Sequence, residues 1–168
     1  MKSITMNINE DKISINEAFK KFYKTCRIKN LRESTLDFYE ETIHYFDKYY
    51  NTENTCVSLT QDIIDGYIEH MQEKDIKGTT INTRLKGLRV IINYFNSMGY
   101  TRDLKVILIK VDEEIKQPYT EEALKVLLKK PDIKKCQFTE YRDWVVINYI
   151  LATGNRIGTI INIKVRRY

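Results

Sequence analysis

Apolar side chains recur at helical spacing in four successive stretches of the first hundred residues. In the first stretch, Ile15, Phe19 and Phe22 follow one another at intervals of four and three residues, which places them on one face of a helix. Three further stretches repeat this spacing, at Leu36, Tyr39, Ile43 and Phe46, at Ile63, Ile64, Tyr67, Ile68 and Met71, and at Ile81, Leu85, Leu88, Ile92 and Phe95. The pattern therefore predicts four amphipathic helices.

Residues with capping chemistry precede these stretches. Ser14 and Glu17 have the spacing of a capping box at the start of the first helix. The next three helices are expected to start at Ser34, at Thr60 and at Thr79 or Thr80. Only two prolines and six glycines occur among the 168 residues, which favours helices with short connections over a many-turned sheet protein. We expect an all-α, four-helix domain over residues 12–102.

A second group of helices is predicted beyond residue 117. Residues 103–117 hold a short β-branched run followed by charged residues, a composition typical of a linker. Thr120 caps a helix that reaches about residue 130, and a further apolar helix over residues 138–152 stops at Gly154. Another helix is expected to begin near Arg156. Residues 118–168 thus form the leading helices of a second domain.

Charge is unevenly distributed along the chain, whose formal net charge is +5. Residues 33–76 hold eleven acidic residues against two lysines, whereas residues 77–110 hold seven basic residues against one aspartate. Another basic cluster, within residues 20–32, precedes the acidic stretch. Basic segments of this kind suit a polyanionic partner.

Several chemistries find no support in the sequence. Cys26, Cys56 and Cys136 are odd in number and widely spaced, without a metal-binding pattern. His44 and His70 stand apart from any nucleophile that would complete a hydrolase triad, and no phosphate-binding loop or dinucleotide fingerprint occurs. The apolar runs are too short to cross a bilayer. We expect a cytoplasmic protein with reduced thiols, no metal, no cofactor and no membrane contact.

The fourth predicted helix carries a polar row opposite its apolar face. This row consists of Asn82, Lys86, Arg89 and Asn93. Arg and Lys neutralise phosphates or bind guanine edges, Asn pairs with adenine, and an α-helix fits the major groove. The free backbone N–H groups near Thr79 and Thr80 suit a phosphate. The alternative is a solvated helix face, which is the commoner role of such rows.

The start of the second helix offers a smaller set of candidates. Arg32, Ser34 and Thr35 lie there, and Lys29 precedes them within reach of a neighbouring phosphate. Ser34 is as well suited to capping as to touching DNA. Further along this helix lie carboxylates that would repel phosphates if they faced a duplex.

Four segments together resemble the tyrosine recombinase (phage integrase) family. Residues 78–89, Gly-Thr-Thr-Ile-Asn-Thr-Arg-Leu-Lys-Gly-Leu-Arg, look like the helix pattern of its core-binding (SAM-like) domain, and residues 33–39 resemble an earlier helix of that domain. Residues 118–122 are similar to the segment that opens the catalytic domain. Residues 151–158 resemble the T-G-x-R box, with its arginine at Arg156. The resemblance covers nearly the whole chain, in the family's order.

The resemblance implies site-specific DNA integration or excision through a phosphotyrosine intermediate, without a cofactor. Arg156 matches the first activating arginine, whose guanidinium can donate two hydrogen bonds to phosphate oxygens. Thr159 stands where the family usually carries an acidic residue, so we expect a less firmly oriented Arg156. The family's catalytic lysine, H-x-x-R box and nucleophilic tyrosine have no counterpart in this sequence, and Tyr168 is not in the nucleophile's place. We expect the chain alone not to cleave DNA.

The resulting hypothesis is a double-stranded DNA-binding portion of a recombinase that assembles with other protomers on DNA and belongs to a mobile element. Its candidate DNA-binding residues are Lys29, Arg32, Ser34, Thr35, Lys77, Thr79, Thr80, Asn82, Thr83, Arg84, Lys86, Arg89 and Asn93. Two alternatives stay open, a naturally truncated non-catalytic regulator of recombination and a helical protein-interaction module.

Overall fold

The computed structural model describes residues 13–112 and 117–164. These residues form two compact units, the first ending at Glu113 and the second beginning at Glu114. Within the described residues no helix is both long and apolar enough to cross a membrane.

Unit 1 is a four-helix domain, as predicted. Its helices are α1 (Ile15–Ile28), α2 (Glu33–Asp47), α3 (Gln61–Glu73) and α4 (Gly78–Ser97). Helix α4 packs against each of the other three. Its apolar face is almost completely buried, from Ile81 to Phe95, so this helix forms the centre of the domain.

A side-chain cap explains where one of these helices, α1, begins. The predicted capping box of α1 is confirmed, because Ser14 accepts a hydrogen bond from the backbone of Glu17 and Glu17 accepts one in return. The predicted cap of α2 is wrong. Its N-cap is Arg32, and Ser34 lies inside the first turn without a capping hydrogen bond. Helix α4 begins one residue before the predicted start, with Lys77 at its N-cap.

The close approach of α2 and α4 depends on a glycine. A Cβ atom built on Gly87 would meet Oγ1 of Thr42 and would lie 3.0 Å from Cζ of Phe38. Thr42 is buried, and its hydroxyl donates a 2.7 Å hydrogen bond to the Phe38 carbonyl. Because this threonine is fixed, only glycine at position 87 lets the two helices pack at this distance.

Unit 2 contains α5 (Glu121–Leu127), α6 (Phe138–Thr153) and α7 (Ile157–Ile161), close to the positions predicted. Thr120 caps α5 as expected, accepting from the backbone of Ala123. Gly154 ends α6 with φ +64°, the left-handed conformation that glycine adopts without strain. None of the described residues of this unit is buried. A 2.9 Å hydrogen bond from the Trp144 indole N–H to the Leu128 carbonyl links α6 to the end of α5.

Candidate nucleic-acid interface

The structure divides the predicted polar row of α4 into two faces. Lys86 and Asn93 are exposed, whereas Asn82 and Arg89 are half-buried. The exposed residues continue along the helix at alternating intervals of three and four, through Thr79, Thr83, Lys86, Val90 and Asn93. We call these five residues the exposed α4 row. A row with this spacing runs along one face of a helix.

Asn82 and Arg89 are half-buried because an extended segment lies over them. Residues 104–109, called the strap from here on, cross that side of α4. The Asn82 amide nitrogen donates to the Ile109 carbonyl at 2.9 Å, and its oxygen accepts from the Ile109 N–H at 3.0 Å. Nε of Arg89 donates to the Val106 carbonyl at 2.8 Å. Both side chains therefore already bind backbone.

Two further amide side chains hold the strap in the same manner. Gln61 of α3 donates to the Lys105 carbonyl at 2.9 Å and accepts from its N–H at 3.0 Å. Asn96 of α4 donates to the Leu104 carbonyl at 2.8 Å and accepts from its N–H at 3.1 Å. Each amide thus satisfies a backbone donor and acceptor, as a neighbouring β-strand would.

The strap's own side chains pack onto unit 1. Leu104 and Val106 are buried in its core, although the sequence analysis assigned them to a linker because a short β-branched run is followed there by charged residues. Sequence reasoning also missed Gln61 and Asn96. The available signal was the seven-residue spacing of Asn82, Arg89 and Asn96, which places all three on one side of α4.

A groove between α2 and α4 borders the exposed α4 row. Its volume is about 240 Å³, and Thr80, Thr83 and Glu41 are among its lining residues. The guanidinium carbon of Arg84 lies 3.7 Å from the centre of the Tyr45 ring, a cation–π contact. Stacking uses the face of the guanidinium and leaves its in-plane N–H donors for other acceptors.

Tyr67 of α3 is a buried residue within electrostatic reach of Arg84 and Tyr45. Burial raises the pKa of Tyr67 to about 12, although the positive charge of Arg84 opposes that rise. Tyr67 is 3% exposed and contacts Phe46 edge-on. It is therefore a neutral packing residue of the core.

The remaining basic and hydroxyl candidates lie at helix ends. Lys29 is the C-cap of α1, and Arg32 is the N-cap of α2, with Ser34 exposed and Thr35 half-buried beyond it. Lys77 is exposed at the N-cap of α4. No side chain caps the first turn of α4. The backbone N–H groups of Gly78 and Thr79 are therefore open to an anion, whereas that of Thr80 donates to the Lys77 carbonyl at 2.8 Å.

Arg156 lies in unit 2, at the N-cap of α7. Its side chain is exposed, and among the described residues it has no ion-pair or hydrogen-bond partner. Its carbonyl accepts from the backbone of Thr159 at 2.9 Å, so Thr159 contacts it through the backbone. Within the described residues, no cluster of histidine, cysteine and carboxylate side chains is suited to holding a metal ion.

Comparison with known proteins gives consistent matches. Residues 19–100 match the phage integrase N-terminal SAM-like domain. The tyrosine recombinase XerC of Staphylococcus aureus, strains bovine RF122 and MRSA252, is 24% identical over 155 residues, covering 89% of this chain and 50% of the relative. The chain therefore spans about half the length of the curated relatives it matches.

A solved structure shares the fold. It is the Tn1549 transposon integrase, residues 82–397, in complex with circular intermediate DNA. The match has a TM-score of 0.69 and 17% identity, and it covers 90% of this chain and 50% of that chain. Helix order, the matched domain and the curated relatives agree, so the chain belongs to the tyrosine recombinase family, with its phage integrase N-terminal SAM-like domain at residues 19–100.

Proposed function

We propose that this chain is the DNA-binding region of a tyrosine recombinase that integrates or excises a mobile DNA element. The observation that carries the proposal is the exposed α4 row, where Lys86 and Asn93 have no hydrogen-bond partner among the described residues. The row ends at an uncapped helix N-terminus beside Lys77. The family membership of the chain and the DNA complex of the Tn1549 integrase support the proposal.

The row has the chemistry of a groove-reading helix. Lys86 supplies a cation for a phosphate or a guanine edge, and Asn93 supplies the donor and acceptor that suit adenine. From Thr79 to Asn93 the helix rises roughly 21 Å, long enough to follow a stretch of major groove. Thr79 and Thr80 add phosphate contacts at the N-terminal end.

The groove between α2 and α4 extends this contact surface. Arg84, fixed over Tyr45, is pre-organised to donate to a phosphate, so it loses little side-chain entropy on binding. Thr83 flanks it. Glu41 also lines the groove and repels phosphate, which confines the DNA backbone to the α4 side. Lys29, Arg32, Ser34 and Thr35 form a second, smaller contact at the start of α2.

We assign Asn82 and Arg89 to a supporting role in this interface. Their hydrogen bonds hold the strap against α4, and the strap in turn defines one edge of the exposed α4 row. Arg89 keeps its terminal nitrogens for a phosphate, since only Nε donates to Val106. Asn82 uses both ends of its amide for Ile109, so it reads no base while the strap is in place.

Catalysis in the complete enzyme would use Arg156. A guanidinium stays protonated throughout the accessible pH range and can neutralise the charge that develops on a phosphate under attack. Its exposure at the N-cap of α7 leaves room for a DNA strand. The attacking tyrosine would form a phosphotyrosyl link without metal or nucleotide, and several protomers would assemble on the DNA.

The test is fluorescence anisotropy of the whole chain on labelled duplexes at several salt concentrations, with single-stranded DNA as control. We expect salt-sensitive duplex binding. Lys86→Ala should weaken it for all sequences and lower the slope of log K against log salt by about 0.9, the value for one phosphate contact. Lys74→Ala, an equal charge change at the exposed end of α3, should have a much smaller effect.

Two outcomes would contradict the proposal. Equal losses from Lys86→Ala and Lys74→Ala would mean that net charge matters and the position on α4 does not. Absence of salt-sensitive duplex binding, with the fold intact by circular dichroism, would favour a protein-interaction module.

A further inference from the structure

We propose that Val90, in the exposed α4 row, contacts the C5-methyl group of a thymine and makes the row selective for that base at one position of the DNA site. The inference rests on the proposed function, because it names the base that the DNA-contacting row selects. Lys86 and Asn93 supply charge and hydrogen bonds to the duplex, and Val90 adds an apolar contact between them.

Val90 differs in position from the other exposed apolar side chains of unit 1. Among the described residues of this unit, the others are Ile28, Val57, Met98 and Ile107. Ile28 is the last residue of α1 and Met98 is the C-cap of α4, while Val57 lies between α2 and α3 and Ile107 lies in the strap. Of these five, Val90 is the one in the interior of a helix, on a face that is otherwise polar.

Valine at position 90 adds little to the stability of α4. The buried face of this helix includes Leu88, Ile91 and Ile92, whereas Val90 is 41% exposed. Branching at Cβ lowers the helix propensity of valine below that of lysine, glutamine or alanine, which suit an exposed helical position better. The apolar surface of Val90 is therefore available to a ligand.

The neighbours of Val90 indicate which ligand that is. Lys86 and Asn93, both exposed, lie four residues before it and three residues after it. Because a helix turns by about 100° per residue, the three side chains project within about 60° of one another. A surface that contacts Val90 therefore also meets an ammonium group on one side and a carboxamide on the other. A polyanion with an apolar group between its hydrogen-bonding edges fits this order.

Thymine supplies such an apolar group. Of the four bases of DNA, only thymine presents a methyl group in the major groove, beside the edges that Lys and Asn recognise. A phosphate or a guanine edge offers no apolar surface to an isopropyl group, so the contacts proposed for Lys86 leave Val90 without a partner. Branching at Cβ also restricts χ1 of valine, so Val90 loses little rotamer entropy when a methyl group packs against it.

The helix geometry places this thymine relative to the adenine proposed for Asn93. Val90 and Asn93 are separated by roughly 4.5 Å along the helix axis, compared with about 3.4 Å between successive base pairs. The two side chains can therefore reach the same base pair or neighbouring ones. We expect the thymine within about two base pairs of the position at which Asn93→Ala relaxes a preference for adenine.

The expected size of the effect follows from the burial of one methyl group. Removing that group from thymine gives deoxyuridine, which keeps the base pair and its hydrogen bonds. The lost burial corresponds to roughly fourfold weaker binding. Val90→Ala withdraws both methyl groups of the valine, so this variant should distinguish thymine from deoxyuridine by less than about twofold.

The experiment begins with selection of duplexes from a random-sequence library by the whole wild-type chain. Each thymine of the selected site is then replaced singly by deoxyuridine, and affinities of the wild type and of Val90→Ala are measured by fluorescence anisotropy. We expect one thymine whose replacement weakens wild-type binding roughly fourfold and hardly affects Val90→Ala. Comparing both proteins on the same two duplexes cancels any effect of deoxyuridine on DNA shape.

Val57→Ala is the matched control. It removes the same two methyl groups from a side chain that is 46% exposed in the same unit but lies outside the α4 row. This variant should discriminate thymine from deoxyuridine as strongly as the wild type does. Both valines are exposed, and alanine is the better helix former at position 90, so circular dichroism should show both variants folded.

Either of two results would overturn the inference. In the first, every deoxyuridine replacement weakens the wild type and Val90→Ala by the same factor, which would leave Val90 with at most a contact to the sugars common to all sequences. In the second, Val57→Ala loses the discrimination as well. Duplex binding persists in both cases, so the proposed function stands. A chain that selects no duplex would instead contradict the proposed function, and the inference with it.

Discussion

Replacing Asn82 by alanine separates the supporting role of this residue from a DNA-reading role. Its amide makes two hydrogen bonds with the backbone of Ile109, at 2.9 and 3.0 Å, in a half-buried position. Each such bond stabilises a protein by about 0.5–1.5 kcal/mol. Asn82→Ala should therefore lower the free energy of unfolding by about 1–3 kcal/mol.

The measurement is urea denaturation of the whole chain. Unfolding is monitored by far-ultraviolet circular dichroism, which reports helix content, and not by tryptophan fluorescence. The single tryptophan, Trp144, lies in unit 2 and would report on the wrong unit. Lys86→Ala is the matched control from the same helix. Its side chain is exposed, so its unfolding free energy should change by no more than about 0.5 kcal/mol.

Duplex binding of the same two variants completes the comparison. Under conditions where both are folded, Asn82→Ala should keep most of the salt dependence of binding, whereas Lys86→Ala should lose part of it. A stable Asn82→Ala protein with a sequence-dependent loss of DNA affinity would refute the assignment of Asn82 to the strap.

Two further predictions concern packing and pH. Gly87→Ala should destabilise unit 1 in urea titrations, because a clash with the fixed Thr42, which costs about 1–3 kcal/mol, exceeds the gain of about 1 kcal/mol in helix propensity. Gly158→Ala, inside α7 with open space around it, should gain up to about 1 kcal/mol in helix propensity without a clash, and equal effects at the two glycines would contradict this reasoning. Alkaline pH should also weaken the fold. Burial raises the pKa of Tyr67 from its ordinary value of 10 to about 12, so the unfolded chain ionises first. The stabilisation is complete below pH 10 and is lost as the pH rises toward 12. Burial similarly raises the pKa of Cys56 from 9 to about 11. The free energy of unfolding therefore also falls between pH 9 and 11. Tyr67→Phe should show a smaller decline in urea stability across pH 10 to 12 than the wild type, and an identical decline would argue against this assignment.

Helix positions were the most predictable feature of this protein. The spacing of Ile81, Leu85 and Leu88 specifies which face of α4 is buried, because a helix repeats every 3.6 residues whatever its surroundings. Some local hydrogen bonds were predictable for the same reason, although the cap expected at Ser34 does not form. The capping box at Ser14 and the cap at Thr120 involve residues only three apart in the sequence.

Contacts between residues distant in the sequence were decided by the tertiary structure. Asn82 and Lys86 are both polar and lie on the same helix, yet one binds the strap and the other is exposed. Periodicity shows that both lie away from the apolar face, but it carries no information about an extended segment more than twenty residues later. The burial of Leu104 and Val106 was hidden for the same reason.

The sequence by itself determined the all-α class, the order of the helices, the uneven charge and the family, since each depends on local spacing or on residue identity. Only the tertiary structure decided which basic and amide side chains of α4 are open to a ligand. It also decided that Arg84 is stacked on Tyr45 and that Gly87 must be glycine. Those features depend on which helices and loops meet, and that is settled by packing over the whole domain.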